Sequence, residues 1–190
     1  MSTIVAVNKN GKACIAADTL TTFGELKQSS EFDKTHDKIH QYKNNYFGIV
    51  GSAAHHTVVY SILEKYGEDL KFNSQLAIFE SFRKLHPILK EDYYLNPKDE
   101  EDDPYESSRI DTLIVNPHGI FAVYALREVF EYSRFWAVGS GGDIALGAMF
   151  ATYDRLDDAE EIAKIGVEAG ATFNNSTALP ITSYAIDQNS

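Results

Sequence analysis

The chain is poor in cysteine, in positive charge and in long apolar runs. Its only cysteine among 190 residues, Cys14, excludes an intrachain disulfide and is typical of a protein from a reducing compartment. Lys and Arg number 17 against 28 Asp and Glu, which gives a formal net charge of −11. Because phosphate binding requires a basic face, this balance argues against a nucleic-acid partner.

The chain also lacks the sequence features of exported and membrane proteins. No apolar stretch approaches the roughly 18 residues that a membrane helix needs. Residues 1–12 have neither the basic region nor the apolar core of a signal peptide. We therefore expect a cytoplasmic protein with no membrane contact. The length and a hydrophobic content of 44% fit one domain over residues 1–190.

Apolar residues recur with strand spacing and then helix spacing in the first half of the chain. Asn10-Gly11 lies between two β-branched runs and predicts a hairpin, because both residue types tolerate positive φ. Two helical stripes follow, from Val58 to Tyr66 and from Ile78 to Leu89, and Pro87 is expected to kink or shorten the second. The strands predicted for this half are residues 3–7, 12–18, 38–42 and 46–50.

The second half repeats the pattern of strands followed by helices, and the two halves together predict the fold. Asp157, with Glu160 three positions later, has capping-box spacing and is expected to begin the last helix. Two antiparallel sheets packed face to face, with a helix pair on each outer side, accommodate this order. We therefore predict an α+β, four-layer αββα sandwich. The remaining predicted elements are strands 112–115, 120–124, 129–132, 135–138 and 181–186, and a helix over 142–153.

Residues 96–108 interrupt all periodicity and contain five consecutive acidic residues at positions 99–103. We interpret this segment as a solvated loop, with a calcium or partner site as the alternative. His36 and His40 are four residues apart on a strand-like segment without acidic helix context, which is weak evidence for a metal site. We expect neither a metal nor a cofactor.

Ser2 could act as a nucleophile if Met1 is removed, as methionine aminopeptidases do when the second side chain is small. Ser2 would then carry its hydroxyl and a free α-amine on one residue. A hydroxyl needs a base to accept its proton, and an α-amine has a pKa of about 7.7–8.0, much closer to neutrality than that of a lysine. Taken alone, a Met-Ser start is weak evidence for a nucleophilic serine, because many proteins with an ordinary N-terminus also begin with Met-Ser.

Five short motifs occur in order along the chain and together resemble proteasome β-type subunits, including the HslV-type peptidases. That family begins with its nucleophile, usually threonine, and has an aspartate sixteen positions later, as Ser2 and Asp18 stand here. The likeness covers nearly the whole chain apart from residues 96–108 and the last dozen or so residues. The other matching segments are 38–39, 49–54, 137–142 and 159–170.

The resemblance implies the N-terminal-nucleophile form of the αββα fold and a role for each matched residue. Lys38, as an ammonium, would lower the pKa of the Ser2 hydroxyl and its amine, and Asp18 would hold Lys38 in place. The backbone N–H of Gly51 at a helix N-terminus would stabilise the oxyanion. Ser140 would hydrogen-bond near the new N-terminus.

The resemblance also implies a pocket for the substrate side chain. Ile49 would form its floor, Ala53 would line the same wall, and Thr21 would lie across the opening. Since an aliphatic floor offers no charge to pair with, we expect a preference for medium apolar side chains.

Three departures from the family pattern bear on this interpretation. Serine replaces threonine at the nucleophile. The interval from Asp18 to the lysine is about four residues longer than usual, so that Lys34 competes with Lys38; the strand pattern after Lys38 favours Lys38. The aspartate and serine that the family places after its fourth helix fall near Thr172 and Asn175 here.

We therefore predict a proteasome-type peptidase subunit that cleaves peptide or amide bonds of peptides or unfolded proteins through an acyl-Ser2 intermediate. By resemblance, it would assemble into a homo-oligomeric ring of about six or seven copies, stacked in pairs. An ATPase unfoldase as partner has no support in the sequence itself. The alternatives are a weakly active or unprocessed structural ring subunit, and a small-molecule amidase or acyl transferase on the same fold.

Overall fold

A computed structural model describes residues 2–96, 105–108 and 110–189. The acidic run at 99–103 and Met1 lie outside these residues. The chain begins with the predicted hairpin, β1 (Ile4–Lys9) and β2 (Lys12–Asp18). Asn10 and Gly11 connect the two strands at φ values of 52° and 76°, a left-handed conformation that asparagine tolerates and that glycine, which has no side chain, adopts readily.

Among the residues that the structure describes, nine strands form two antiparallel sheets. The first sheet has the order β10-β1-β2-β11, in which β10 is Phe135–Val138 and β11 is Ile181–Asp187. The second has the order β5-β6-β7-β8-β9. Its strands are β5 (Ile39–Tyr42), β6 (Asn45–Val50), β7 (Asp111–Asn116), β8 (Gly119–Tyr124) and β9 (Glu128–Tyr132).

A short third pairing was not predicted from the sequence. Strands β3 (Thr21–Phe23) and β4 (Leu26–Gln28) form a two-stranded ribbon that turns at Gly24, with a φ of 60°. Three-residue strands are too short for alternation of buried and exposed positions to be recognised, and most of this ribbon is exposed.

In the part of the chain that the structure describes, four α-helices cover the outer faces of the sheets: α1 (Ala53–Tyr66), α2 (Gln75–Glu91), α3 (Gly142–Thr152) and α4 (Ala159–Phe173). Helix α2 continues through Pro87 for another turn, so the proline does not end it. Helix α4 begins one residue later than predicted, because Asp158 and not Asp157 is its N-cap and accepts a hydrogen bond from the backbone of Glu160. Among the described residues, no helix is long and apolar enough to cross a membrane.

The core consists of three apolar layers that separate four layers of secondary structure. One lies between the five-stranded sheet and α1 and α2, where Phe47, Ile78 and Leu89 are buried. The middle layer, which includes Ile4 and Leu113, lies between the sheets. The third lies between the four-stranded sheet and α3 and α4, where small residues of α4 allow close packing. This is the predicted αββα sandwich, with β1 and β2 in its centre.

Candidate active site

Ser2 is buried at the entrance to β1 and is held through its backbone by a turn rich in glycine. The backbone N–H of Gly141 donates to the carbonyl oxygen of Ser2 at 3.3 Å. Gly139 adopts a φ of 92°, and a Cβ placed there would overlap the same carbonyl oxygen. Both the backbone angle and the close approach therefore require glycine at position 139.

The next residue, Thr3, is fixed from two sides. Its backbone N–H donates to Oδ1 of Asp18 at 2.8 Å, and its carbonyl oxygen accepts from the N–H of Asp18 at 3.1 Å. A side chain at Gly170 on α4 would overlap the Thr3 side chain. The start of the chain is thus confined between β2, the glycine turn and α4.

Asp18 and Lys38 form a buried ion pair directly beside this N-terminal segment. Lys38 Nζ donates to Asp18 Oδ1 at 2.8 Å, and both residues are almost fully buried. The other carboxylate oxygen, Oδ2, accepts from the backbone N–H groups of Leu20 at 3.1 Å and Ala178 at 3.3 Å. Burial lowers the pKa of Lys38 from its ordinary value, while the charge of Asp18 and its hydrogen bond act in the opposite direction.

The alternative lysine, Lys34, is exposed, whereas Lys38 lies beside Asp18. The fold explains this difference, because the position of Lys38 is tied to the second sheet. The carbonyl oxygen of Lys38 accepts from the N–H of Ile49 at 3.2 Å, and β5 begins at the next residue. The structure therefore brings Ser2, Asp18 and Lys38 together.

Gly51 lies at the junction between β6 and α1 with a φ of 125°. Ser52 caps the helix, its side chain accepting from the N–H of Ala54, and Nδ1 of His55 accepts from the N–H of Ser52. Burial lowers the pKa of His55, which favours the neutral ring that this acceptor role requires. Gly51 is thus presented at a capped helix N-terminus, where the helix dipole favours negative charge.

Ser140 contacts a residue that the sequence did not single out. Its hydroxyl donates to Oδ1 of Asn174 at 3.2 Å, and Nδ2 of Asn174 donates to the carbonyl oxygen of Ser140 at 2.9 Å. The two positions suggested by sequence comparison bond elsewhere: the Thr172 hydroxyl to the carbonyl of Glu168, and Asn175 to Ser176. Asn174 is the C-cap that follows the last residue of α4, so its contact with Ser140 depends on tertiary packing, which residue spacing does not reveal.

A cavity of about 600 Å³ opens beside Lys38. Of the predicted pocket residues, Thr21 and Ala53 line it. Ile49 does not line it; its side chain is fully buried in the core layer under α1 and α2. The cavity is therefore more polar than the apolar pocket expected from the sequence. Three histidines also line it: His36, His40 and His56.

Two of these histidines are in contact and are held neutral. The rings of His40 and His56 lie edge to face with centroids 5.6 Å apart. Burial lowers the pKa of both, and for His56, with further contributions from His40 and Lys38, it falls to about 4. Nε2 of His40 is buried and has no hydrogen-bond partner among the described residues. The cavity is therefore lined by neutral imidazole rings.

The other intrinsically nucleophilic side chain, Cys14, is not positioned for chemistry. It lies on β2, buried under α4, and burial raises the pKa of its thiol to about 12. A thiol with so high a pKa is almost entirely protonated at neutral pH and is a poor nucleophile.

A serine at the start of the chain, beside a buried lysine–aspartate pair in an αββα sandwich, defines an N-terminal-nucleophile hydrolase. The chain is 30% identical over 189 residues to the "ATP-dependent protease subunit HslV" of Caldicellulosiruptor saccharolyticus, covering 95% of this chain and 98% of that protein. No family model matches the chain. It belongs to the HslV-like family of proteasome-type peptidases and is a hydrolase.

Solved structures agree with this assignment. The chain matches Thiobacillus denitrificans BPH in complex with epoxomicin at a TM-score of 0.92 and 40% identity, covering 99% of this chain and all of that one. BPH without this ligand gives a TM-score of 0.91 at 41% identity, with 98% of each chain covered. HslV of Trypanosoma brucei, at a TM-score of 0.74 and 20% identity over 98% of this chain and 99% of that one, shares the fold.

We predict that Gly139→Ala abolishes turnover, because the added methyl group would overlap the Ser2 carbonyl and the backbone angle would be strained. Peptide hydrolysis and the rate of labelling by epoxomicin, an epoxyketone, would both measure the loss. Gly147→Ala on α3 is the matched control, since nothing lies within 4 Å of its added Cβ. Full activity of Gly139→Ala would show that the turn does not position Ser2.

Proposed function

We propose that the chain cleaves peptide bonds by nucleophilic attack of Ser2 after removal of Met1. The observation that carries this proposal is the buried Lys38–Asp18 pair, whose carboxylate also binds the backbone N–H of Thr3. Burying two charges is costly unless both are well satisfied. Here the pair lies one residue from a serine that can expose both a hydroxyl and an α-amine.

In the first half of the reaction, Ser2 Oγ attacks the substrate carbonyl carbon and its proton passes to the Ser2 amine. The positive charge of Lys38 lowers the pKa of both groups, so that a larger fraction of the amine is neutral and able to accept the proton. The negative charge that develops on the carbonyl oxygen is stabilised by the N–H of Gly51 and the N-terminus of α1.

The tetrahedral intermediate then collapses with cleavage of the carbon–nitrogen bond. The departing amine takes the proton from the Ser2 ammonium, and the acyl group remains as an ester on Oγ. A water molecule, deprotonated by the neutral amine, attacks the ester carbonyl. The acid product leaves as Oγ regains its proton, which restores the starting state.

The cavity beside Lys38 is proposed to bind the side chain that precedes the cleaved bond, with Thr21 and Ala53 in its wall. A basic side chain would find little free acceptor capacity at Asp37, whose carboxylate already accepts from the Ile39 N–H, the Thr182 hydroxyl and the Tyr184 hydroxyl. An acidic side chain would face that same negative charge. We infer that uncharged side chains of medium size are preferred.

We further propose that the subunits assemble into a homo-oligomeric ring that takes unfolded polypeptides. Phe150 at the end of α3 and Phe173 at the end of α4 are 75% and 77% exposed, an apolar surface that a partner copy would cover. The name of the curated relative, an ATP-dependent protease subunit, suggests an ATP-driven partner for this chain as well.

The nucleophile is tested by mass spectrometry of the purified protein. We expect the intact mass to lack Met1 and epoxomicin to add once, at Ser2, because this inhibitor class reacts with a hydroxyl and an α-amine on the same residue. Ser2→Ala should neither turn over peptide nor be labelled. A retained Met1 together with no labelling would favour a structural ring subunit.

The lysine is tested by a pair of substitutions. Lys38→Ala should lower kcat by about 100-fold or more, because it removes the charge that tunes Ser2. Lys34→Ala, at an exposed position, should stay within about two-fold of wild type. The opposite ranking would assign the catalytic role to Lys34.

The pH profile gives an independent measure of Lys38. Catalysis needs the lysine protonated, and its burial lowers the pKa below the ordinary 10.5. We therefore expect kcat to fall on the alkaline side at a pH below 10.5, as Lys38 loses its proton. An alkaline limb at or above that value would contradict the assignment.

Substrate preference is measured with fluorogenic peptides that vary the residue before the cleaved bond. Peptides with Leu or Gln there should exceed those with Arg or Asp by about 10-fold in kcat/KM, because a charged side chain would lose its hydration and the Asp37 carboxylate already accepts three hydrogen bonds. Preferential cleavage after Arg or Asp would refute this pocket.

Assembly is measured by native mass spectrometry at micromolar concentration. We expect a closed homo-oligomer, and a smaller species for the double variant Phe150→Glu, Phe173→Glu, because charges there could not be buried between subunits. A monomeric wild-type protein would instead favour a small-molecule amidase on this fold.

A further inference from the structure

Asn174 lies at the C-terminal end of α4, where it links the helix to the turn that holds Ser2. Its Oδ1 accepts from the Ser140 hydroxyl at 3.2 Å and from the Ser176 N–H at 2.9 Å, and its Nδ2 donates to the Ser140 carbonyl at 2.9 Å. The backbone N–H of Ser176 can only donate and the carbonyl of Ser140 can only accept, so this network fixes which amide atom faces which partner.

The contact between Asn174 and Ser140 reaches Ser2 through the backbone of the turn. The residue after Ser140 donates its N–H to the Ser2 carbonyl oxygen, and the residue before Ser140, Gly139, packs against that same oxygen. A shift of Ser140 would therefore move both groups that hold Ser2. Asn174 itself is anchored at the helix end, its N–H donating to the carbonyl of Gly170 at 2.9 Å.

We propose that Asn174 is a positioning residue for the Ser2 reaction, which it supports by clamping the Ser140 turn with a side chain that carries no charge. This inference rests on the proposed nucleophilic role of Ser2. It extends that role by identifying the residue at the end of α4 that orients the turn. Because Asn174 is uncharged, it does not disturb the ion pair of Lys38 and Asp18.

Because Asn174 is uncharged, replacing it by aspartate should change the pH dependence of kcat, an effect that a purely structural role would not predict. Asn174→Asp keeps the shape and the two acceptor bonds at the Oδ1 position but loses the donor to the Ser140 carbonyl. It also adds a negative charge to the turn that holds the Ser2 carbonyl, and such a charge would favour the protonated Ser2 amine and raise its pKa. Since catalysis needs the neutral amine, the acid limb of the pH–kcat profile should move to higher pH, and kcat should recover as the pH rises.

The experiment compares five variants of the processed, assembled protein with wild type, using one fluorogenic peptide and epoxomicin. For Asn174→Ala we expect kcat and the epoxomicin labelling rate to fall by about 10-fold or more, with KM changed by less than about three-fold. Thr172→Ala and Asn175→Ala are the matched controls, because their side chains bond only near α4, and they should stay within about two-fold of wild type. Asn174→Asp should show the shifted acid limb.

Melting temperature and native mass separate a positioning role from a folding defect. If Asn174→Ala is not folded, the Asn174→Asp profile decides, and an unshifted acid limb overturns the proposal. Wild-type kcat in Asn174→Ala, or an equal loss in the two controls, also overturns it. Ser2→Ala separates the proposed role of Ser2 from the proposed role of Asn174. If Ser2→Ala is inactive while Asn174→Ala is fully active, Ser2 is the nucleophile and Asn174 is not needed to position it.

Discussion

The buried ion pair between Lys38 and Asp18 is the interaction on which the rest of the site depends. Charges taken out of water must be compensated, and Asp18 is compensated by Lys38 and by backbone N–H groups of Thr3, Leu20 and Ala178. Those groups come from the residue before β1, the segment after β2 and the segment before β11, whereas Lys38 precedes β5 in the other sheet. Removing one partner of such a pair typically costs about 3–5 kcal/mol, so the pair also constrains how the two sheets meet.

A serine as the proposed nucleophile would place a greater demand on the backbone around it than a threonine. A threonine side chain has a branched Cβ that restricts its rotation, whereas the hydroxyl of serine is freer. The site compensates at the main chain, because Gly139 and Gly141 contact the Ser2 carbonyl and Gly170 packs on Thr3. These glycines are required by close approach, and the precision that the side chain lacks is supplied by the turn that Asn174 holds.

The sequence predicted those parts of the molecule that local pattern determines. The hairpin at Asn10-Gly11, the amphipathic helices and the strand that follows Lys38 all have clear periodicity, and the choice of Lys38 over Lys34 followed from that strand. Local pattern did not reveal the ribbon of β3 and β4, whose strands are too short. Nor did it place Ile49 correctly in space: an inward-facing residue of a central strand can point to either of two core layers, and Ile49 points to the layer under α1.

Asn174 is the site residue that residue spacing failed to predict. Counting along the family pattern led to Thr172 and Asn175, but Asn174, which follows the last residue of α4, bonds to Ser140. Thr172 bonds to Glu168 and Asn175 bonds to Ser176, so an error of one or two positions changes the partner. The consequence is electrostatic as well as geometric. An amide at the end of α4 adds no charge to the site, so the buried Lys38–Asp18 pair is the charged group on which the proposed reactivity of Ser2 depends.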